Sequence, residues 1–197
     1  MNAPLKNLRI ADHPVHAQFL DRWSPRAFTA ETMRAAEVLS LLEAARWAPS
    51  SSNMQPWRFV YALRGDAGFT AVADALVPFN RAWAEKAAAL IVVASKTTVL
   101  KDEAQVASPT HAFDTGAAWA QLALQAHLSG WAAHGMGGFD HAKLAENVKV
   151  PDGYALHAVV AVGRQGNPAS LPEMLQAREH PSDRISLSEV ARRGSFS

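Results

Sequence analysis

Residues 48–59 read Ala48-Pro49-Ser50-Ser51-Ser52-Asn53-Met54-Gln55-Pro56-Trp57-Arg58-Phe59, and this stretch joins a helical pattern to a strand pattern. Each proline fixes its own φ, lacks an N–H and biases the preceding residue towards an extended backbone. The segment between the prolines, the 49–55 loop, is therefore predicted to be stiff and dense in hydrogen-bonding groups. Taken alone, such a loop is more often a plain connector than a binding element.

Regular patterns lie on both sides of the 49–55 loop. Four apolar residues before it recur at the spacing of one helix face and predict a helix that ends near Trp47. They are Val38, Leu41, Leu42 and Ala45. Large apolar residues alternate over residues 57–63 and predict a strand. Two well-formed elements would therefore give the polar loop a rigid mount.

Further elements follow along the chain. The apolar run at residues 88–95 predicts a central strand buried on both faces, and shorter strands are expected at 131–134 and 156–162. Asp114 is expected to cap a long uncharged helix. Other helices are expected around 69–76, 140–148 and 169–179. Residues 80–86 are predicted to be a polar link, and residues 96–110 a mobile loop.

Length and charge limit the classes of function. The chain has 197 residues, with 19 Lys plus Arg and 18 Asp plus Glu, for a net charge of +1. This length predicts a single domain over residues 1–197, in which residues 1–16 form a loose N-terminal arm. The near-neutral balance argues against a protein that binds nucleic acid through bulk charge.

Cysteine usage and hydropathy bear on location. The chain has no cysteine, which excludes disulfides, thiolate metal sites and a cysteine nucleophile, and which fits a reducing compartment. Residues 1–12 contain no apolar segment of a secretory signal. Residues 115–139 carry no charged side chain, but their glutamines, histidines and glycines make them too polar to span a membrane. We therefore expect a cytoplasmic protein with no membrane partner.

Most familiar catalytic motifs are absent. There is no Walker A loop, and Gly135-Met136-Gly137 lacks the third glycine of a dinucleotide fingerprint because that position is Asp140. The histidines show no spacing typical of metal ligands, so no metal is expected. The serines at 50–52 have no nameable base beside them, which disfavours a serine nucleophile.

Three other polar features remain. Arg22, Ser24 and Arg26 occupy alternate positions, so their side chains would point the same way in an extended segment. Two guanidinium groups and a hydroxyl on one side suit a phosphate, although such a pattern is more often an exposed basic loop. The glycines at 135–138 would let backbone N–H groups approach a flat ligand closely, or would serve an ordinary turn. Arg184 stands near the end of the chain.

Together these segments resemble the FMN-dependent nitroreductase family. The quoted matches are Arg22-Trp23-Ser24-Pro25-Arg26-Ala27-Phe28, then Ala44-Ala45-Arg46-Trp47-Ala48-Pro49-Ser50-Ser51 with Asn53-Met54-Gln55-Pro56-Trp57-Arg58-Phe59. Asp114-Thr115-Gly116-Ala117-Ala118 with Gly135-Met136-Gly137-Gly138-Phe139 is similar to the family's central helix and glycine turn, and Arg184 with Leu187-Ser188-Glu189-Val190 to its closing segment. The resemblance covers roughly residues 20–192, and the Pro-Ser-Ser-x-Asn-x-Gln-Pro-Trp string is its specific part.

The resemblance implies an α+β fold, with a mixed, mainly antiparallel central sheet flanked by helices, in an obligate homodimer. It implies FMN at the dimer interface. Arg22, Ser24 and Arg26 are expected at the phosphate and the pyrimidine side of FMN, and Arg184 is expected to help bind the phosphate. Four loop residues would contact the flavin of the partner subunit: Pro49, Ser50, Ser51 and Asn53. The residues expected at the flavin ring are Asn80, Met136, Gly137 and Gly138. The backbone N–H of Gly138 would approach flavin N5. The family often has an acidic residue where Gly137 stands.

The implied chemistry belongs to the flavin, with no catalytic side chain of the protein. Hydride would pass from NADH or NADPH to N5 and then, in a ping-pong cycle, to an acceptor such as a nitroaromatic or a quinone. Two alternatives stay open: an enzyme of the same fold with another reaction (flavin fragmentation, dehalogenation or another oxidation), and a flavin-binding protein without turnover.

Overall fold

The strand that the apolar run at residues 88–95 predicts stands at the centre of the fold. In the computed structural model, which describes residues 7–196 except the side chain of Lys101, this strand is β2, Ala89–Lys96, and its first seven residues are buried. Leu90 and Val92 pack into a core on one face of the sheet, and Ile91 and Val93 into a second core on the other. The prediction of a strand buried on both faces is confirmed.

Three further strands complete the central sheet: β1 (Trp57–Leu63), β5 (Ala132–Met136) and β6 (Tyr154–Gly163). The strand order is β1-β2-β6-β5, and β2 pairs with β1 on one side and β6 on the other. Every strand pair described in this sheet is antiparallel. The expected α+β fold around a mainly antiparallel sheet is confirmed.

Helices cover both faces of the sheet. On one face lie α2 (Ala35–Arg46) and α5 (His111–Leu128), whose Leu41 and Leu122 enter the same core as Trp57. The other face is covered by α3 (Ala67–Asp74), α4 (Pro78–Ala84) and α6 (His141–Asn147), which bury Phe69, Trp83 and Leu144. Four-residue helices occur at α1 (Gln18–Asp21), α7 (Glu173–Gln176) and α8 (Leu187–Val190).

Several local predictions are wrong. Residues 80–86 do not form a link, because Pro78 opens α4 and Trp83 is buried in the core. Residues 96–110 are not an irregular loop but contain a hairpin of β3 (Thr98–Lys101) and β4 (Ala104–Ala107). Asp114 does not cap α5, which begins three residues earlier. The helix expected over residues 169–179 is reduced to α7.

Residues 7–16 have no regular secondary structure, but hydrogen bonds hold them to the rest of the chain. Asn7 donates to the carbonyl of Leu20, and the Asp12 carboxylate accepts the N–H of Leu187 at 2.8 Å. The first six residues of the expected arm lie outside the described residues. Among residues 7–196, no helix combines the length and the apolar character that crossing a membrane requires.

Candidate functional site

Five arginine side chains line one cavity of about 370 Å³, which we name the arginine cavity. They are Arg9, Arg22, Arg26, Arg178 and Arg184. The other lining residues are Trp23, Ser24, His134, His180 and Ser182, so none of the described residues that line the cavity is acidic. A concave surface with five permanent positive charges is suited to a phosphate or another multiply charged anion.

The segment after α1 presents three of these residues as its alternation predicts. Arg22, Ser24 and Arg26 all line the arginine cavity, and the Arg22 Nη1 donates to the Ser24 Oγ at 3.4 Å. Arg184 reaches the same cavity from the C-terminal segment. The structure therefore brings together the four residues expected at the phosphate side, from two distant parts of the chain.

The arginines of this cavity repel one another. Burial, and then the charges of Arg9 and Arg184, lower the pKa of Arg22 from its ordinary value. Burial also lowers the pKa of Arg26. The negative charge of Glu179 offsets part of this lowering, and the positive charge of Arg178 adds to it. A guanidinium stays charged despite such shifts, so the free energy of this charge cluster is unfavourable until an anion enters it.

Glu179 supports the cavity wall from behind. Its carboxylate is buried, and its Oε1 accepts the N–H groups of both Arg26 and Ala27 at 2.7 Å. The other oxygen, Oε2, lies 3.9 Å from the Arg26 Nη1. The buried Nε of Arg26 and the Oε2 of Glu179 have no hydrogen-bond partner among the described residues. The Arg26 side chain as a whole is 18% exposed and lines the cavity, so part of its guanidinium is accessible to a ligand.

His134 links the arginine cavity to the glycine turn. It lies on β5, lines the cavity, and contacts the carbonyl of Pro25 through Nδ1 at 3.1 Å. Because a carbonyl can only accept, Nδ1 carries the proton. Burial lowers the pKa of His134 to about 4, and the charges of Arg26 and Arg22 add to this. A neutral imidazole thus stands beside the arginines at neutral pH, two residues before Met136.

The glycine turn begins inside β5, which contains Gly135 and Met136, and continues through Gly137 and Gly138. The carbonyl of Gly138 accepts the Nδ2 of Asn80 at 3.0 Å and the N–H of Val77 at 3.2 Å. A Cβ at Gly138 would lie 2.6 Å from that Nδ2, so no larger residue fits without displacing Asn80. No hydrogen bond between described residues uses the Gly138 N–H. At Gly137 nothing lies within 4 Å of a Cβ, so an acidic side chain would have room there.

The 49–55 loop is held in a conformation that most residues avoid. Ser52, Asn53 and Gln55 have φ values of 48°, 53° and 48°. The Ser50 Oγ accepts the N–H of Gln55 at 3.0 Å, and the buried Asp114 carboxylate accepts the N–H of Ser51 at 3.3 Å. The loop is rigid and polar, and none of its residues lines the arginine cavity. Pro49, Ser50, Ser51 and Asn53 therefore stand apart from the other expected site residues in one protomer.

Two arginines and a glutamate of the site were not predicted. Arg9 lies in the segment expected to be a loose arm, while Arg178 and Glu179 follow α7. No local pattern marks these residues, because they reach the cavity only through long-range contacts such as that of Glu179 with Arg26. Among residues 7–196, no group of three or more His, Asp or Glu side chains is placed to hold a metal ion.

Known proteins are similar to this chain in sequence and in fold. The model of the nitroreductase family matches residues 20–81 and 64–164. An uncharacterized 15.4 kDa protein in the ask 5' region of Mycolicibacterium smegmatis is 37% identical over 143 residues, which cover 68% of this chain and 93% of that protein.

Two solved structures give the fold comparison. The crystal structure of an oxidoreductase containing FMN is 43% identical and superposes with a TM-score of 0.95 over 99% of both chains. A mutant of an FMN- and NADPH-dependent nitroreductase derived from Sphigopyxis sp. strain HMH is 18% identical, with a TM-score of 0.71 over 91% of this chain and 98% of that one, and shows the fold alone. By sequence and by fold, the chain belongs to the nitroreductase family of oxidoreductases.

Proposed function

We propose that this protein is an FMN-dependent oxidoreductase that takes hydride from NADH or NADPH and delivers it to a small acceptor. The observation that carries the proposal is the arginine cavity, whose lining residue His134 lies on β5, the strand that leads to Gly137 and Gly138. An anion site and a glycine segment connected by one strand suit a ligand with a phosphate at one end and a flat ring at the other.

The cavity residues fit the phosphate of FMN in charge and in donors. Arg22, Ser24, Arg26 and Arg184 would hold it, because charged guanidinium donors form the strongest hydrogen bonds to phosphate oxygens. Arg26 supports this role because it lines the cavity and makes no close ion pair, its Nη1 lying 3.9 Å from the Glu179 Oε2. The structure with 43% identity is described as containing FMN, which agrees with the proposal.

The glycine turn would lie against the ring. Gly138 would offer its N–H, which no described residue uses, and Asn80 would hold the turn by its bond to the Gly138 carbonyl. Gly137 would complete this part of the proposed site. The side chain of Met136, expected at the ring, is instead buried in the core at 3% exposure, so only its backbone is proposed to lie near the ligand. The neutral His134 would keep the boundary between phosphate and ring free of additional positive charge at neutral pH.

We also propose an obligate homodimer with FMN at its interface. Trp47 and Phe113 are 71% and 82% exposed. Phe113 immediately precedes Asp114, whose carboxylate accepts the Ser51 N–H, and Trp47 is the C-cap of α2, the helix that leads into the 49–55 loop. Exposed aromatic residues beside a rigid loop are typical of an interaction surface. Pro49, Ser50, Ser51 and Asn53 would then serve the flavin of the partner subunit, which explains their separation from the arginine cavity.

Bound FMN would supply the redox chemistry, accepting hydride at N5 and passing it to a nitroaromatic or a quinone in ping-pong order. The residues of the chain bind, orient and shield; none is proposed as a nucleophile or a proton donor. NADPH is the reductant named for the Sphigopyxis nitroreductase, and a nicotinamide donor is proposed here by analogy of fold. The cysteine-free sequence is compatible with a cytoplasmic location, which we propose for the enzyme.

Anaerobic spectroscopy tests this function. The purified protein should bleach on addition of NADH or NADPH and regain its flavin absorbance when a quinone or a nitroaromatic is added. Bleaching without recovery by any acceptor would favour another reaction on the same fold. Retained FMN that neither nicotinamide reduces would contradict the oxidoreductase proposal and favour a binding protein.

A further inference from the structure

The N-terminal arm directs an arginine inwards while its apolar neighbours face solvent. Leu8 is 69% exposed and Ile10 is 92% exposed, whereas Arg9 between them is half-buried and lines the arginine cavity. A segment that only needed to pack against the protein would bury its leucine and isoleucine instead. The fold therefore buries part of the Arg9 guanidinium rather than the two apolar side chains beside it.

The Arg9 side chain is fixed by three backbone carbonyls from two parts of the chain. Its Nε donates to Ser182 at 2.8 Å, and its Nη1 donates to both Leu20 and Arg22 at 2.9 Å. A guanidinium has five N–H groups, and no described hydrogen bond uses the two on Nη2. Arg9 is thus held rigidly in place with a pair of charged donors to spare.

This placement carries an electrostatic cost. Burial, and then the positive charge of Arg184, lower the pKa of Arg9, and the charge of Arg9 in turn helps to lower the pKa of Arg22. Asp183 offsets part of the repulsion at Arg9. Like charges held together without a matching number of carboxylates repel one another and destabilise the fold. An anion that binds among them offsets this cost and so stabilises the protein.

We infer that Arg9 binds the phosphate group of FMN, so that the N-terminal arm is a working part of the cofactor site. The inference rests on the proposed function and extends it to a residue outside the segment, 20–164, that the family model matches. Arg9 would add a fork of donors to those of Arg22 and Arg26, and its bonds to Leu20 and Ser182 would close the arm over the phosphate.

The competing explanation is that Arg9 only ties down the arm. Asn7 offers a matched control, because its Nδ2 donates to the same Leu20 carbonyl and to the Asp21 carboxylate, both at 3.0 Å, but it does not line the arginine cavity. If tethering were the whole role, loss of Asn7 and loss of Arg9 would affect cofactor binding in the same way.

The test compares dissociation constants for FMN and for riboflavin, which has the same ring without the phosphate. The full chain and its Arg9→Ala, Arg9→Gln and Asn7→Ala variants are titrated by flavin fluorescence. For both Arg9 variants, FMN should bind about 10- to 100-fold more weakly, as expected for the loss of a hydrogen bond to a charged group. Riboflavin binding should change less than about twofold. Asn7→Ala should leave the preference for FMN over riboflavin unchanged.

Three results would overturn the inference. If Arg9→Ala and Arg9→Gln keep the wild-type preference for FMN, Arg9 does not bind the phosphate, although the proposed function stands. The same holds if Asn7→Ala lowers that preference as much as the Arg9 variants do, because tethering would then suffice. If the wild-type chain shows no preference for FMN over riboflavin, the phosphate site itself fails, and the proposed function loses its main support.

Discussion

Glu179 and Arg26 illustrate how single residues build the site. A buried carboxylate receives two backbone N–H groups, and the arginine whose backbone it holds points its side chain into the arginine cavity. The carboxylate does not pair closely with that guanidinium, from which it lies 3.9 Å away. The chain thus fixes the arginine through its backbone and leaves most of its charge for a ligand.

His134 makes stability depend on pH. In the unfolded chain its pKa is about 6.5, and burial lowers it to about 4 in the fold, so the unfolded state binds a proton first as the pH falls. Stability from the neutral ring is complete above about pH 6.5 and is lost progressively towards about pH 4. The loss should approach about 3 kcal/mol in wild type and be absent in His134→Gln.

Urea unfolding at about pH 7 and about pH 4.5 measures this effect. The gap in free energy of unfolding between the wild type and His134→Gln should shift in favour of the variant at the lower pH. The two proteins would lose stability in parallel if the histidine were not buried in its neutral form.

The two glycines of the turn should respond differently to the same change. Gly138→Ala places a Cβ 2.6 Å from the Asn80 Nδ2 and 3.0 Å from the Val77 Cγ2, so the Asn80 amide must shift away from its hydrogen-bonded position. We expect a loss of about 1–2 kcal/mol in the free energy of unfolding. Gly137→Ala meets nothing within 4 Å and should stay within about 0.5 kcal/mol of wild type. Equal effects in urea unfolding would argue against the Asn80 contact.

Among the larger elements, the 49–55 loop depends on α5. Its left-handed residues are strained, and the Asp114 carboxylate, which also accepts the Thr110 hydroxyl at 3.0 Å, connects it to the helix. Asp114 is only 3% exposed. The residue that was expected to cap α5 thus serves mainly as an anchor for the loop.

Asp114→Ala should therefore destabilise the protein and loosen the loop. Two hydrogen-bonded groups lose a buried acceptor, so we expect a loss of about 1–3 kcal/mol in the free energy of unfolding and faster proteolysis within residues 49–55. Asp114→Asn keeps one acceptor oxygen and should recover part of both effects. Unchanged cleavage of the loop in Asp114→Ala would show that Asp114 does not hold it.

Local sequence patterns predicted the elements whose cause is local. The apolar run of β2, the alternation of β1 and the helix expected around 140–148, found as α6, all follow from neighbouring residues. The β3–β4 hairpin was missed because its turn, with φ of 48° and 65°, uses Asp102 and Glu103 rather than glycine. Helix α4 was missed because Asn80 and Arg81 masked a helix that the burial of Trp83 stabilises.

The residues of the candidate site also divide into those that local patterns predicted and those that they did not. Alternation was enough to group Arg22, Ser24 and Arg26, and the glycines at 137 and 138 marked the turn. Arg9 could not be predicted, because its place in the cavity depends on carbonyls of Leu20, Arg22 and Ser182. Long-range contacts of this kind leave no pattern in the arm itself.

On the scale of the whole molecule, the exposed aromatic residues beside the 49–55 loop predict a dimer. Light scattering should give twice the mass of the chain. Phe113→Asp, which places a charge on a side chain that is 82% exposed in one protomer, should yield monomers with less bound FMN. Phe113→Leu keeps the apolar surface and should remain dimeric. A wild-type monomer with full FMN occupancy would refute an interface site.

The central claim is that the arginine cavity holds the phosphate of FMN. The most direct measurement is to identify the chromophore that the purified protein releases on denaturation, and to titrate the emptied protein with FMN. The account predicts a yellow protein that releases FMN and takes it up again. A colourless protein that does not bind added FMN would contradict it.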